Sequence, residues 1–152
     1  MCIRDSFMAE RGFRVIAADL PEQAAWIRGR AEVGKLAGVL ESGELAAGRL
    51  QVDLVVSTYV LNIIPDGEEK ERYLRNAAIN LREEGYLLVE ARCRQESTVC
   101  GSGCSHFHKC PSCIKTYSHD ELDQLLRPYG FRRISHYYRR HAVVAVYQLC
   151  NA

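Results

Sequence analysis

The sequence predicts an α/β fold with a mostly parallel sheet, helices on both of its faces and a C-terminal antiparallel hairpin. Three observations carry this. The run Val52-Asp-Leu-Val-Val56 is apolar except at Asp53, too short for a buried helix and rich in β-branched residues, the composition of a strand covered on both faces. Strand-like and helix-like segments alternate along the chain, the pattern of a parallel sheet with crossover helices. Two β-rich runs, Phe131 to Tyr138 and Ala142 to Leu149, are separated only by Arg139-Arg140-His141, which reads as the turn of a hairpin.

Each element has a local reason. Phe7-Met-Ala-Glu-Arg-Gly12 reads as the end of a helix capped by Gly12, and Phe13 to Asp19 as a buried strand ending in an acid. Pro21 suits the first turn of a helix reaching about Arg28. Glycines at 29, 34, 38, 43 and 48 break up the next stretch, which is expected to hold one or two short helices and a weak strand near Leu36 to Leu40. After the Val52 strand, acids at the start of Asp66 to Arg82 complement the helix dipole, while Tyr73, Leu74, Ala77, Ala78 and Leu81 recur at helical spacing as a buried stripe. Glu83-Glu84-Gly85 ends that helix, and Tyr86 to Ala91 is the next strand. Ser118-His-Asp-Glu121 has capping-box spacing and opens a helix closed by Pro128-Tyr-Gly.

At 152 residues the chain is long enough for one domain with a real core. Apolar residues make up 47% and charged residues 26%, and the net charge of +1 gives no strong field for nucleic acid or an anionic membrane. No run of 18 apolar residues suggests a membrane span. The first six residues, Met-Cys-Ile-Arg-Asp-Ser, resemble a translated sequencing adapter. Residues 1–6 are therefore expected to be non-native, with residues 7–152 forming the domain; an ordinary N-terminus is the alternative.

In an open α/β sheet, ligands sit beyond the carboxyl ends of the strands. Ser57, Thr58, Tyr59 and Asn62 follow the Val52 strand and fall there, although a polar turn at an ordinary strand end has the same composition. Four of the seven cysteines crowd into Cys100-Gly-Ser-Gly-Cys104-Ser-His-Phe-His-Lys-Cys110-Pro-Ser-Cys113, within a long connection spanning about 93–117. Clustering without a signal peptide suits a reducing, cytoplasmic compartment. Cys100, Cys104, Cys110 and Cys113 on short Gly- and Pro-containing turns are a candidate structural zinc set, whose binding energy would order the loop. Free thiols, disulfides formed on oxidation and an iron–sulfur cluster are the alternatives.

Taken in order, these segments resemble the class I S-adenosylmethionine-dependent methyltransferases. "FRVIAAD" is similar to their second strand with its terminal acid. "VDLVVSTYVLNIIPD" with the following helix and "LREEGYLLVEAR" is similar to their fourth strand, helix and fifth strand. "YSHDELDQLLRPYGF" with the hairpin is similar to their last helix and reversed final strand. The resemblance spans Phe7 to Leu149 and implies a Rossmann-like three-layer sandwich that binds S-adenosylmethionine. The glycine-rich turn of that family, and the first strand before it, have no counterpart here. A sheet lacking its first strand is therefore expected, with two exposed strand edges.

The resemblance also implies roles. Asp19 matches the acid that accepts hydrogen bonds from the ribose hydroxyls; an N-cap before Leu20-Pro21 is its other reading. Ser57, Thr58 and Tyr59 match the segment flanking the methyl donor, and Tyr59, Asn62 and Arg92 are candidates for the acceptor side. A general base is needed only where the acceptor loses a proton; Glu90, Tyr59 and His106 are the candidates, so the catalytic residue stays open. Arg92 and Arg94 suit an acidic acceptor or are simply solvated loop charges. The acceptor class, whether small molecule, protein or nucleic acid, is not specified by the sequence. Two other functions compete: a nicotinamide-binding oxidoreductase, which shares a strand-terminal acid like Asp19, and a non-catalytic zinc-stabilised interaction module on a degenerate scaffold. The reversed final strand favours methyl transfer over the first of these.

Overall fold

The computed structural model describes residues 3–64, 67–93, 116–139 and 142–150. The elements are α1 (Ile3–Glu10), β1 (Ile16–Asp19), α2 (Pro21–Arg28), β2 (Gly38–Glu41), β3 (Val52–Thr58), α3 (Glu68–Asn80), β4 (Leu81–Arg92), α4 (His119–Leu126), β5 (Phe131–Arg139) and β6 (Ala142–Leu149). Short 3₁₀ turns cover Ala31–Lys35, Glu44–Ala46 and Arg127–Tyr129. The strands form two sheets, a parallel pair β1-β2 and a four-stranded sheet in the order β3-β4-β6-β5. The chain divides into two units, residues 1–48 and 49–152.

In the first unit, β1 runs parallel to β2 with Ile16 opposite Gly38 and Asp19 opposite Glu41. The weak strand expected near Leu36 to Leu40 is therefore real and ends one residue later. β1 is shorter than expected: Phe13 lies before it and is exposed, so only the Ile16–Asp19 part is strand. Gly12, at φ 88°, terminates α1 as a left-handed cap, and the helix also includes residues 3–6.

In the second unit, β3 and β4 are parallel, and β6 inserts antiparallel between β4 and β5. Only β6 runs against the others, as the hairpin predicts. Arg139, expected in the connection, is instead the last residue of β5. Helices α3 and α4 supply Leu74, Leu122 and Leu126 to one core with Leu87, Val89 and Ala91 of β4 and Val143, Ala145 and Tyr147 of β6. These strand residues alternate, so they all lie on one sheet face. The Tyr147 hydroxyl donates to Asp123 of α4 at 2.9 Å, and the other oxygen of Asp123 meets Arg133 of β5 at 3.0 Å. Burial, and then the adjoining Asp123 carboxylate, push the Tyr147 phenol well above the ordinary tyrosine range.

The expectation that the Val52 strand is covered on both faces is corrected. β3 is an edge of its sheet, paired only with β4, and Leu54 and Val56 are each 37% exposed. The helix expected to reach Arg82 stops at Asn80, whose side chain donates to the Asn76 carbonyl and accepts from Leu50 N–H. The chain then enters β4 at once. Gly85 ends no helix; a Cβ there would stand 2.9 Å from the Arg82 carbonyl oxygen, a closeness only glycine permits. The capping box at α4 forms as predicted: Ser118 Oγ accepts from Glu121 N–H, and the Glu121 carboxylate accepts from Ser118 N–H.

Candidate functional site

The carboxyl ends of β3 and β4 gather polar groups on a short stretch of chain. Ser57 is buried, and its Oγ accepts from the Tyr73 hydroxyl of α3 at 2.7 Å. Thr58 stands opposite Glu90 in the β3–β4 register. Tyr59 then leaves the strand in the left-handed region at φ 59°, a conformation that costs a side-chain-bearing residue of order 1–3 kcal/mol and persists only where its surroundings hold it. Glu90 does the holding. The Tyr59 N–H donates to the Glu90 carbonyl at 2.7 Å, and the Tyr59 hydroxyl donates to Glu90 Oε1 at 2.8 Å.

Glu90 is 7% exposed, and its charge is balanced by Arg139 Nη1 at 3.5 Å from the same Oε1. The Arg92 guanidinium lies over the Tyr59 ring, 5.7 Å from its centroid. Asn62 is fully buried, and its Oδ1 accepts the Arg92 N–H at 3.0 Å. Its side chain therefore ties the turn after β3 to the end of β4. Lys70, also buried, donates to the Tyr117 hydroxyl at 2.7 Å, which in turn donates to the Leu61 carbonyl at 3.2 Å. Tyr117 N–H closes the loop on the Arg92 carbonyl at 2.8 Å. The turn at 59–62 is thus fixed from β4, from α3 and from Tyr117, two residues before α4.

Asp19 ends β1 in the other unit, exposed, as the sequence predicts. It is not the N-cap of α2; that residue is Leu20, with no side-chain cap. Asp19 Oδ1 accepts from Leu20 N–H at 2.8 Å, leaving Oδ2 without a hydrogen-bond partner among the described residues. Cys100, Cys104, Cys110 and Cys113, with His106 and Arg94, lie outside the described residues. Among the described residues no three His, Cys, Asp or Glu side chains converge as a metal site, and no helix is long and apolar enough to cross a membrane.

The sequence reading brought Ser57, Thr58, Tyr59, Asn62 and Arg92 to one place, and the structure places them together with Glu90. It missed Arg139, which was read as a turn residue, and it missed the Tyr73 and Lys70 anchors. No local signal marks Arg139; only the β4-β6-β5 order carries it to Glu90. Two shallow cavities, of about 330 and 460 Å³, lie at the amino ends of β4 and β5, away from this cluster.

No family model and no curated protein matches the sequence. Solved structures do match. The methyltransferase CalO6 aligns at TM-score 0.68 and 15% identity over 95% of this chain and 52% of its own. LepI in complex with SAM aligns at TM-score 0.69 and 16% identity over 97% of this chain and 39% of its own. An O-methyltransferase family 2 protein from Planctomyces limnophilus, complexed with apigenin, aligns at TM-score 0.62 and 16% identity over 90% of this chain and 42% of its own. The chain spans about half or less of the length of each. It has the Rossmann-like α/β fold of the class I S-adenosylmethionine-dependent methyltransferases.

Proposed function

We propose that the chain belongs to an S-adenosylmethionine-dependent methyltransferase and that the carboxyl ends of β3 and β4 form its transfer site. One observation carries the reading: Tyr59, strained into the left-handed region, is held with its phenol on the buried Glu90 carboxylate at the strand ends where this fold binds ligands. When bound, the donor supplies a methyl group already activated on a sulfonium, so the protein's task is alignment and exclusion of water. Asp19, with one carboxylate oxygen open, suits a ribose hydroxyl. Thr58 and Tyr59 flank the donor and the acceptor, while Ser57 and Asn62, both buried, keep the turn in place. Where the acceptor is a hydroxyl, its proton passes to Glu90 through the Tyr59 hydroxyl that donates to Oε1. The antiparallel β6 between β4 and β5 favours this reading over a nicotinamide oxidoreductase. A zinc site at Cys100, Cys104, Cys110 and Cys113 rests on their spacing alone.

Calorimetric titration of S-adenosylhomocysteine tests the reading. Binding is expected, weakened roughly tenfold or more in Asp19→Ala through loss of a charge-assisted hydrogen bond. Because the chain spans about half or less of the structures it matches, the titration is repeated on a longer form of the protein. Absence of binding in both forms would falsify the proposal.

A further inference from the structure

The turn from α4 into β5 gathers arginines around the cavity of about 330 Å³, at the end of the sheet that the methyl-transfer reading leaves unused. Asp123, Arg127, Phe131, Arg132 and Arg133 line it. α4 ends at Leu126, the 3₁₀ turn Arg127–Tyr129 follows, and β5 starts at Phe131, so residues from both sides of the turn face one space. Backbone bonds hold the turn: Gly130 N–H donates to the Arg127 carbonyl at 3.1 Å, and the Gly130 carbonyl accepts from Cys150 N–H at 2.8 Å. Arg132 and Arg133 are consecutive, and successive strand side chains point to opposite faces, so the cavity lies around the open edge of β5. Its charges are unbalanced. Asp123 is the one carboxylate in the lining among the described residues, and both its oxygens are engaged. Oδ1 accepts from the Tyr147 hydroxyl at 2.9 Å, and Oδ2 meets Arg133 Nη2 at 3.0 Å. Arg127 follows Asp123 by four positions, the spacing of a helical ion pair, but Asp123 is taken by Tyr147 and Arg133. Neither the Arg127 nor the Arg132 side chain has a hydrogen-bond or ion-pair partner among the described residues, and both residues are exposed.

We propose that Arg127 and Arg132 bind the phosphate dianion of a small organic phosphomonoester in this cavity. Two unpaired guanidiniums supply two positive charges to a group carrying about two negative ones, and their planar forks match its oxygens. A carboxylate neutralises only one of them. The volume is at the lower end of the range for small-molecule sites, which suits a compact ligand. Phe131, 5% exposed, lines the cavity and gives the organic part an apolar wall. The carboxyl end of α4 repels an anion, so the affinity rests on the two guanidiniums. Arg132 also lines the neighbouring cavity, together with Glu83 and Glu84. Neither carboxylate forms an ion pair with Arg132 among the described residues, but their charges oppose an anion beside it.

The probe is phenyl phosphate, titrated into the full chain without any methyl donor and followed by amide NMR. Inorganic phosphate, which lacks the organic part, and benzenesulfonate, which carries a single charge, are the comparisons. Phenyl phosphate is expected to shift the resonances of Arg127, Phe131 and Arg132, to leave Tyr59 and Glu90 unmoved, and to bind more tightly than either comparison. Arg127→Gln and Arg132→Gln are each expected to weaken it about fivefold or more. Both side chains are exposed and unpaired among the described residues, so the urea midpoint is expected to stay where it is. Replacing Glu83 and Glu84 by glutamine removes the opposing charges and is expected to strengthen binding, a gain that a loss of structure does not produce. Inorganic phosphate binding as tightly as phenyl phosphate overturns the organic ligand, and benzenesulfonate doing so overturns the dianion. No shifts at all, or affinity indifferent to both arginines, overturns the site. The titration needs no donor, so its outcome is separate from the S-adenosylhomocysteine result.

Discussion

At the scale of single residues, two buried side chains report on the site and its support. Asn62 accepts the Arg92 N–H from a position with no solvent access. Asn62→Ala leaves that donor buried and unsatisfied, so a loss of about 1–3 kcal/mol is expected in urea unfolding. A loss under a few tenths would mean that the turn does not depend on this bond. His119 behaves differently. Its Nε2 meets the Val144 carbonyl at 3.2 Å, and its Nδ1 is buried with no partner among the described residues. The rings of His136 and Tyr138 each pack edge-on at 4.6 Å. Burial holds its pKa below the ordinary 6.5; the nearby His136 and Arg133 lower it further, while the Val144 carbonyl and Asp123 oppose them. The folded-state value is depressed, so the unfolded chain binds the proton first as pH falls. Stability is expected to be flat in this group above pH 6.5 and to decline below it, more steeply than in His119→Gln. Parallel curves for the two proteins between pH 7 and 5, about the range in which histidine titrates, would sink the assignment.

Elements whose identity depends on local chemistry were legible in the sequence. The α4 start is the clearest case, because the Ser118–Glu121 box is a four-residue signal and both of its bonds form. Ser118→Ala is expected to cost about 1 kcal/mol, measured as a shift in the denaturation midpoint. The stripe of α3 and the limits of β6 were legible for the same reason, since apolar period and turn residues are written along the chain. The end of α3 was not. Asn80 stops that helix by bonding to Leu50, thirty positions earlier, which no window of sequence contains. The exposed edge at β3 was legible from the missing first strand, whereas the covering of both its faces was misjudged: an apolar, β-branched run shows that a segment favours a strand but not which neighbours it finds. With only β4 beside it, Leu54 and Val56 remain exposed.

Over the whole molecule, burial is uneven. The second unit holds the cluster centred on Leu87, Val89, Val143 and Tyr147, whereas the buried apolar residues described in the first unit are Ala17, Ala24 and Ile27. Local opening is easier where few apolar contacts must be broken. Amide exchange at Leu87, Val89, Val143 and Ala145 is expected to follow global unfolding, with β1 amides exchanging on the order of tenfold faster or more. Uniform protection across both units would contradict this. The order of strands and helices, and the polar turn after β3, were determined by the sequence alone, because caps, periodicity and turn residues act within a few positions. The tertiary structure decided which of those polar residues meet. Tyr59, Glu90, Arg92 and Arg139 come together only because β4 runs beside β3 and β6 inserts between β4 and β5. Strand register is a long-range pairing, and its partners are chosen by the packing of the whole sheet, not by any one segment.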